Sequence, residues 1–230
     1  MTLTVQKEVP AIIIITALLC ALCVIIGNKI KKADPYEKPT GLVFAGLALI
    51  EWADGMVAST VRPSYVEKMG PYIGCLAAYL LCSNLSGLFG FSTPTMNLSV
   101  TLSLALITWV MIQYATFKTN GVIGYFKGLF EPIPILVLGN FIGKFSPLIS
   151  LSMRLFGNIL SGSILMSLLY TGCGLLSNLI LGWTGINFNA VGVVVAPVFH
   201  AYFDVFAGFI QMYIFISLTM ALVSNELGDE

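Results

Sequence analysis

The sequence predicts an all-α integral membrane protein with about five transmembrane helices and one amphipathic helix on the cytoplasmic surface. Hydrophobic residues make up 57% of the 230 residues and charged residues 10%, with a mean hydropathy of +0.93. Soluble domains contain about 25% charged residues, so this composition indicates a lipid environment. The apolar residues are grouped in runs of about 20, the length of a helix that crosses a bilayer, rather than in the alternating segments of a β-barrel. We expect one membrane domain, residues 1–230.

The first predicted transmembrane helix covers residues 10–27, and a basic run at residues 29–32 follows it. Positively charged loops stay in the cytoplasm, so the N-terminus is expected outside and, after five crossings, the C-terminus inside. Residues 41–60 are only half apolar because Glu51 and Asp54 interrupt them. We interpret this stretch as the amphipathic surface helix, and a marginal transmembrane helix is the alternative.

A helical hairpin is predicted over residues 71–117. Further along, residues 133–183 contain only two charged side chains, Lys144 and Arg154. One helix of that length would measure about 75 Å, far more than a hydrocarbon core of about 30 Å. The run therefore either crosses twice or forms one long, tilted helix, and charge placement favours the tilted helix because the lysines then lie on the cytoplasmic side. Pro147 predicts a helix break.

Polar residues form a stripe on each of the last two predicted helices, which together span residues 133–223. Side chains three or four residues apart share one helix face. A charge at the bilayer centre costs at least about 2.5–3.5 kcal/mol, so we expect the stripes to border an ion path. Arginine stays charged in proteins and blocks a hopping proton, whereas histidine and aspartate exchange protons. One stripe contains Ser150, Arg154, Asn158 and Gly162, and the other contains His200, Asp204, Gly208 and Gln211.

Each of these residues also has a purely structural interpretation. Arg154 and Asp204 could form a static buried ion pair. Asn158 and Gln211 could only join the helices by hydrogen bonds, and Asn97 could cap a helix instead of contacting water. Taken together, the polar residues favour the ion path. In it, Arg154 would act as the charge barrier, and Asp204 and His200 would exchange protons. Its predicted lining comprises Asn158, Gln211, Ser163, Ser150, Asn84 and Asn97.

The sequence RLFGN at residues 154–158 resembles the signature of subunit a of the rotary F-type ATP synthase. Residues 89–106, 131–140 and 199–220 resemble, in the same order, three further stretches of that family. The resemblance implies a multi-pass subunit of the bacterial cell (inner) membrane that borders a ring of c subunits and supplies two offset aqueous half-channels. It also implies the stator subunit b and the remainder of the complex as partners, and H⁺ or Na⁺ as the transported ion.

The resemblance further implies roles for individual residues. Arg154 matches the essential arginine of the family, Asn158 the asparagine that follows it, and Gln211 the glutamine of the last helix. Asp204 falls where members have a titratable residue. Ser163 falls where some members have a glutamate, so one half of an acid–base pair is missing in this chain.

Other functions are constrained by what the sequence lacks. It has neither a GxxxxGK[ST] nor a GxGxxG motif, so we expect no nucleotide chemistry by this chain alone, no cofactor and no metal. A net charge of zero gives no indication of nucleic-acid binding. The alternatives are a secondary ion transporter, which would show repeated halves with paired broken helices, and a non-transporting assembly scaffold.

Overall fold

The computed structural model describes residues 8–32, 38–90, 93–130, 133–181, 183 and 188–227, and over these ranges the chain folds into seven α-helices. A π-helical segment, Ala201–Phe206, joins the last two, and we call the three together the C-terminal helix. Counting it once, six helices in the described part are long and apolar enough to cross a membrane, which confirms the predicted class. The helices are α1 (Glu8–Lys32), α2 (Gly41–Thr60), α3 (Pro63–Leu85), α4 (Leu98–Phe130), α5 (Val137–Leu181), α6 (Ala190–His200) and α7 (Ala207–Leu227).

Three helices begin where local chemistry favours a start. Pro63 occupies the first turn of α3, where its missing N–H leaves no bond unmade. Ahead of α4, the side-chain oxygen of Asn97 accepts a hydrogen bond from the Ser99 amide at 2.9 Å. Ahead of α6, the side-chain oxygen of Asn189 accepts a hydrogen bond from the Gly192 amide, also at 2.9 Å. Asn97 therefore caps α4, which is the structural interpretation given for it in the sequence, rather than the lining of an ion path.

The predicted hairpin over residues 71–117 is longer in the structure. Its first arm begins at Pro63, and its second arm, α4, continues to Phe130. Between them lie two short 3-10 helices, Ser86–Phe89 and Pro94–Met96. At Gly121 the backbone has φ 65° and ψ 171°, a conformation that glycine adopts readily. The helix kinks at this residue and then resumes.

The arginine helix α5 is one continuous helix of 45 residues. At 1.5 Å per residue it is about 68 Å long. Most of the run at residues 133–183 therefore forms one long helix, Val137–Leu181, which must tilt or extend beyond a hydrocarbon core of about 30 Å. The expected break at Pro147 was wrong because this proline lies inside α5. Neighbouring groups in helical membrane proteins can satisfy the carbonyl that a proline leaves free.

The core lies between α2, α3, α4, α5 and α7. Side chains of α3, α5 and α7 occupy its centre, where Ile73, Leu80, Leu155 and Ile216 are completely buried. The helix α2 packs against α3 through Ala53 and Val57. Whether α2 lies on the membrane surface stays a prediction, since its length and composition would also allow it to cross.

One end of the bundle, which we call the basic end, brings together the α2–α3 turn and the ends of α4 and α7. The Arg62 guanidinium donates to the Leu227 carbonyl oxygen at 3.3 Å. The Lys118 ammonium donates to the Tyr65 hydroxyl at 2.9 Å. Basic residues from separate parts of the chain therefore lie at this end of the bundle, and the orientation in the membrane stays a prediction.

Candidate functional site

Arg154 lies on an exposed part of α5. Ser150 and Asn158, one turn before and one turn after it, are exposed as well. Arg154 itself makes no hydrogen bond or ion pair with any residue that the structure describes. Asp204 pairs with His200 instead, so a static Arg154–Asp204 ion pair is excluded.

One turn beyond Arg154, α5 contacts the C-terminal helix through a pair of amides. The Nδ2 atom of Asn158 donates to Oε1 of Gln211. Gln211 is only 1% exposed, and its Nε2 atom has no hydrogen-bond partner among the described residues. A buried donor without a partner costs about 1–3 kcal/mol. The pair therefore places a spare hydrogen-bond donor one helical turn from the unpaired arginine.

A second polar contact joins the same two helices through His200. Its Nδ1 atom lies 2.5 Å from Oδ2 of Asp204, and its Nε2 atom lies 2.7 Å from the Tyr170 hydroxyl. Asp204 belongs to the π-helical segment, and single π turns inside α-helices are frequent at functional sites. Three groups that can exchange protons thus form one hydrogen-bonded chain.

Two cavities flank His200. The inner cavity, about 190 Å³, reaches Asp204 and Asn158, and the outer cavity, about 300 Å³, reaches Tyr170 and Asn189. Both have room for several water molecules and several polar groups to bind them. His200 lines both, so it borders two spaces that can hold water. The inner cavity is lined by Asn84, Gly87, Thr93, Met96, Asn158, Ile159, Gly162, Ser163, Met166, His200, Phe203 and Asp204.

The structure gathers only part of the predicted site around these cavities. A step of four residues turns a helix by about 40° more than a full circle, so a long stripe winds around its helix. Ser150, Arg154 and Asn158 are all exposed, but Asn158 has turned far enough to bond to Gln211 on the C-terminal helix. The predicted residues that line the inner cavity are Asn158, Ser163, Asn84, His200 and Asp204, and those that do not are Arg154, Ser150, Gln211 and Asn97.

Two further residues of this site were missed in the sequence. Tyr170 continues the four-residue series that starts at Arg154, so its spacing could have identified it. Asn189 lines the outer cavity, donates to the Tyr170 carbonyl at 3.3 Å and accepts from Ser177 at 3.0 Å. Its only sequence signal was that of a helix cap.

Asn84 both lines the inner cavity and joins α3 to the C-terminal helix. Its amide donates to the Gly208 carbonyl at 3.1 Å, and its side-chain oxygen accepts from Thr95 at 3.1 Å. A methyl group added at Gly208 would lie 3.2 Å from the Asn84 side chain. A small residue at position 208 therefore allows the close helix approach on which this contact depends.

We expect Gly208→Leu to destabilise the protein by about 1–3 kcal/mol, because the larger side chain separates α3 from the C-terminal helix. The thermal midpoint for loss of this subunit from the detergent-purified complex measures the effect. Gly172→Leu is the matched control, since nothing lies within 4 Å of a side chain added there. Equal midpoints for the two variants would contradict the close-approach role of Gly208.

The fold and site define a multi-pass α-helical membrane protein whose polar interface lies between a long arginine-bearing helix and the C-terminal helix. The sequence pattern of the family described as ATP synthase A chain matches residues 10–224. The chain therefore belongs to the ATP synthase subunit a family. It is a membrane-sector subunit that transports ions and does not itself catalyse ATP chemistry.

Individual relatives support this assignment. The sequence is 35% identical over 182 residues to the sodium-ion-specific ATP synthase subunit a of Propionigenium modestum, covering 72% of this chain and 57% of that protein. It is 33% identical to ATP synthase subunit a of Mycoplasma pneumoniae, covering 92% of this chain and 76% of the relative. The Bacillus pumilus subunit a is also 33% identical, with 79% of each chain covered.

Proposed function

We propose that this chain is the stator subunit against which a ring of c subunits turns, and that Arg154 is the group each ring carboxylate must pass. The observation on which this depends is the exposed side chain of Arg154, which has no hydrogen-bond or ion-pair partner among the described residues. A ring of helices bearing carboxylates would cover this part of α5 and supply the missing anion.

The chemistry follows from the cost of charge in lipid. A carboxylate that travels through the bilayer must be neutral, so it moves with its ion bound. Close to a fixed cation the anionic form is favoured and the pKa of the carboxylate falls, so the ion is released there. Because arginine does not give up its proton, Arg154 also prevents ions from leaking directly between entry and exit.

The entry path in this proposal follows the polar interface between α5 and the C-terminal helix. Ions reach the outer cavity beside Tyr170, pass His200 and Asp204, and continue through the inner cavity toward Asn158. Gln211 lies beside this path through its hydrogen bond with Asn158.

We further propose an orientation and a set of partners. The chain forms one domain of the bacterial cell membrane, with the basic end in the cytoplasm and the His200 side outside. Residues 133–223 form the ion-translocating helix pair, beside a c-ring and with subunit b in the stator. We propose H⁺ as the ion, because the hydrogen-bonded groups Tyr170, His200 and Asp204 exchange protons.

ATP-driven ion uptake by vesicles that contain the complete ATP synthase tests this function. We expect acidification of the vesicle interior when ATP is added, at the same rate with and without sodium. If uptake requires sodium, the transported ion is Na⁺ rather than H⁺, and the proposed role of the chain as the stator subunit is unchanged. Ion exchange by the isolated subunit without a c-ring would instead favour a secondary transporter. Unchanged uptake after loss of Arg154 would favour a scaffold.

A further inference from the structure

Three polar contacts join α5 to the C-terminal helix at three different levels. From the His200 side to the basic end they are Tyr170–His200 at 2.7 Å, Asn158–Gln211, and Lys144–Glu226 at 3.4 Å. Twelve residues separate the first two levels on α5 and eleven on the C-terminal helix, and fourteen and fifteen separate the second from the third. Since helices rise by about 1.5 Å per residue, all three contacts belong to one antiparallel register.

The third level, Lys144–Glu226, is also attached to α4. The Thr116 hydroxyl donates to the Glu226 carboxylate at 2.7 Å, and the Trp109 indole donates to the Lys144 carbonyl at 2.6 Å. The Lys144 ammonium lies 5.5 Å above the centre of the Tyr125 ring. The side chains of Lys144 and Glu226 are 26% and 28% exposed. The pair therefore lies between α4, α5 and α7 and is partly buried, unlike an ion pair on an exposed surface.

Such a pair matters because membrane helices lack a strong force against sliding. Lipid tails are as apolar as leucine side chains, so burial of apolar area contributes little to helix register, and specific packing and polar contacts decide it. Arg154 has no partner among the described residues that could fix its guanidinium. The position of the guanidinium along the helix axis, relative to Gln211, therefore depends on the register of α5 against the C-terminal helix.

We propose that Lys144 and Glu226 are positioning residues: their ion pair sets the register of α5 against the C-terminal helix, and so the level at which Arg154 meets its external partner. This inference rests on the proposed function of Arg154. A slip of one helical turn, about 5.4 Å, would move the arginine away from the Asn158–Gln211 pair. Neither Lys144 nor Glu226 needs to contact the transported ion for this role.

Charge reversal in the complete ATP synthase tests the proposal. We expect Lys144→Glu and Glu226→Lys each to lower ATP-driven ion uptake per assembled complex about fivefold and to raise passive leak. The double variant, which restores the pair with exchanged charges, should recover uptake to within about twofold. Lys144→Arg should retain both uptake and coupling. Lys118→Glu is the matched control, because that lysine bonds only to Tyr65 among the described contacts.

The possible outcomes separate the two proposals. If the unmodified complex takes up no ions, the proposed function fails, whatever the variants do. If it pumps and the reversed variants lose only the amount of assembled complex, with normal uptake and leak per complex, the pair is merely structural and the register proposal is wrong. A double variant no better than the singles would also overturn it. If charge reversal prevents assembly, the neutral variants Lys144→Met and Glu226→Gln are used instead. The proposal then predicts that the double neutral variant takes up ions, per assembled complex, no more slowly than either single variant.

Discussion

Replacing Arg154 with alanine is expected to abolish coupled ATP synthesis while allowing ions to exchange passively. The substitution removes the fixed positive charge at which a ring carboxylate releases its ion, and it also removes the barrier between the entry and exit paths. Each elementary charge that crosses 100 mV provides about 2.3 kcal/mol, so a leak at this point dissipates the driving force. Vesicles containing the complete complex report both effects, through ATP synthesis under an imposed gradient and through ATP-independent ion flux.

The other arginine of the chain provides the control for this experiment. Arg62 donates to the Leu227 carbonyl oxygen at the basic end, and it lines neither of the two cavities beside His200. We expect Arg62→Ala to retain coupled synthesis in complexes that assemble. Wild-type coupling in the Arg154→Ala complex would show that neither ion release nor separation of the paths depends on this cation.

Replacing Asp204 with asparagine should slow ion passage about tenfold or more without preventing assembly. Asparagine keeps the size of the side chain and one oxygen acceptor for His200, but it cannot bind and release a proton. The chain from Tyr170 to Asp204 would then end at a group that does not titrate. The rate of ATP-driven proton uptake, normalised to the amount of complex, measures the loss.

Asp204→Glu should restore most of the uptake, because it returns a carboxyl group to the inner cavity. Asp54→Asn, on α2, tests whether the loss of any membrane-associated carboxylate has the same effect, and we expect it to behave as wild type. Normal uptake by Asp204→Asn would remove this residue from the ion path and leave it a role only in orienting His200.

Much of this site could be predicted because helical periodicity determines which side chains share a face. The spacing of Arg154 and Asn158, and that of His200 and Asp204, places polar groups on neighbouring turns of one helix. The membrane class followed from composition for a similar reason, since a helix must satisfy its own backbone in lipid. These features depend on local geometry alone.

The remaining features depend on contacts between distant parts of the chain. Sequence spacing gives no signal for the pairing of Lys144 with Glu226, because the two residues are 82 positions apart. Pro147 predicted a break because an isolated helix loses a hydrogen bond there, yet α5 continues through it. The kink at Gly121 likewise replaced an expected helix end.

The π-helical segment constrains how this protein can vary during evolution. A π turn contains one residue more than the α turn it replaces, so deleting any one residue of Ala201–Phe206 would leave a regular helix. Every residue beyond the deletion would rotate by about 100°, and Gln211 would turn away from Asn158. Substitutions within this stretch change one side chain at a time, but a change in its length would disturb the whole of α7. Selection should therefore preserve the residue count between His200 and Gln211 more strictly than the identity of most residues between them.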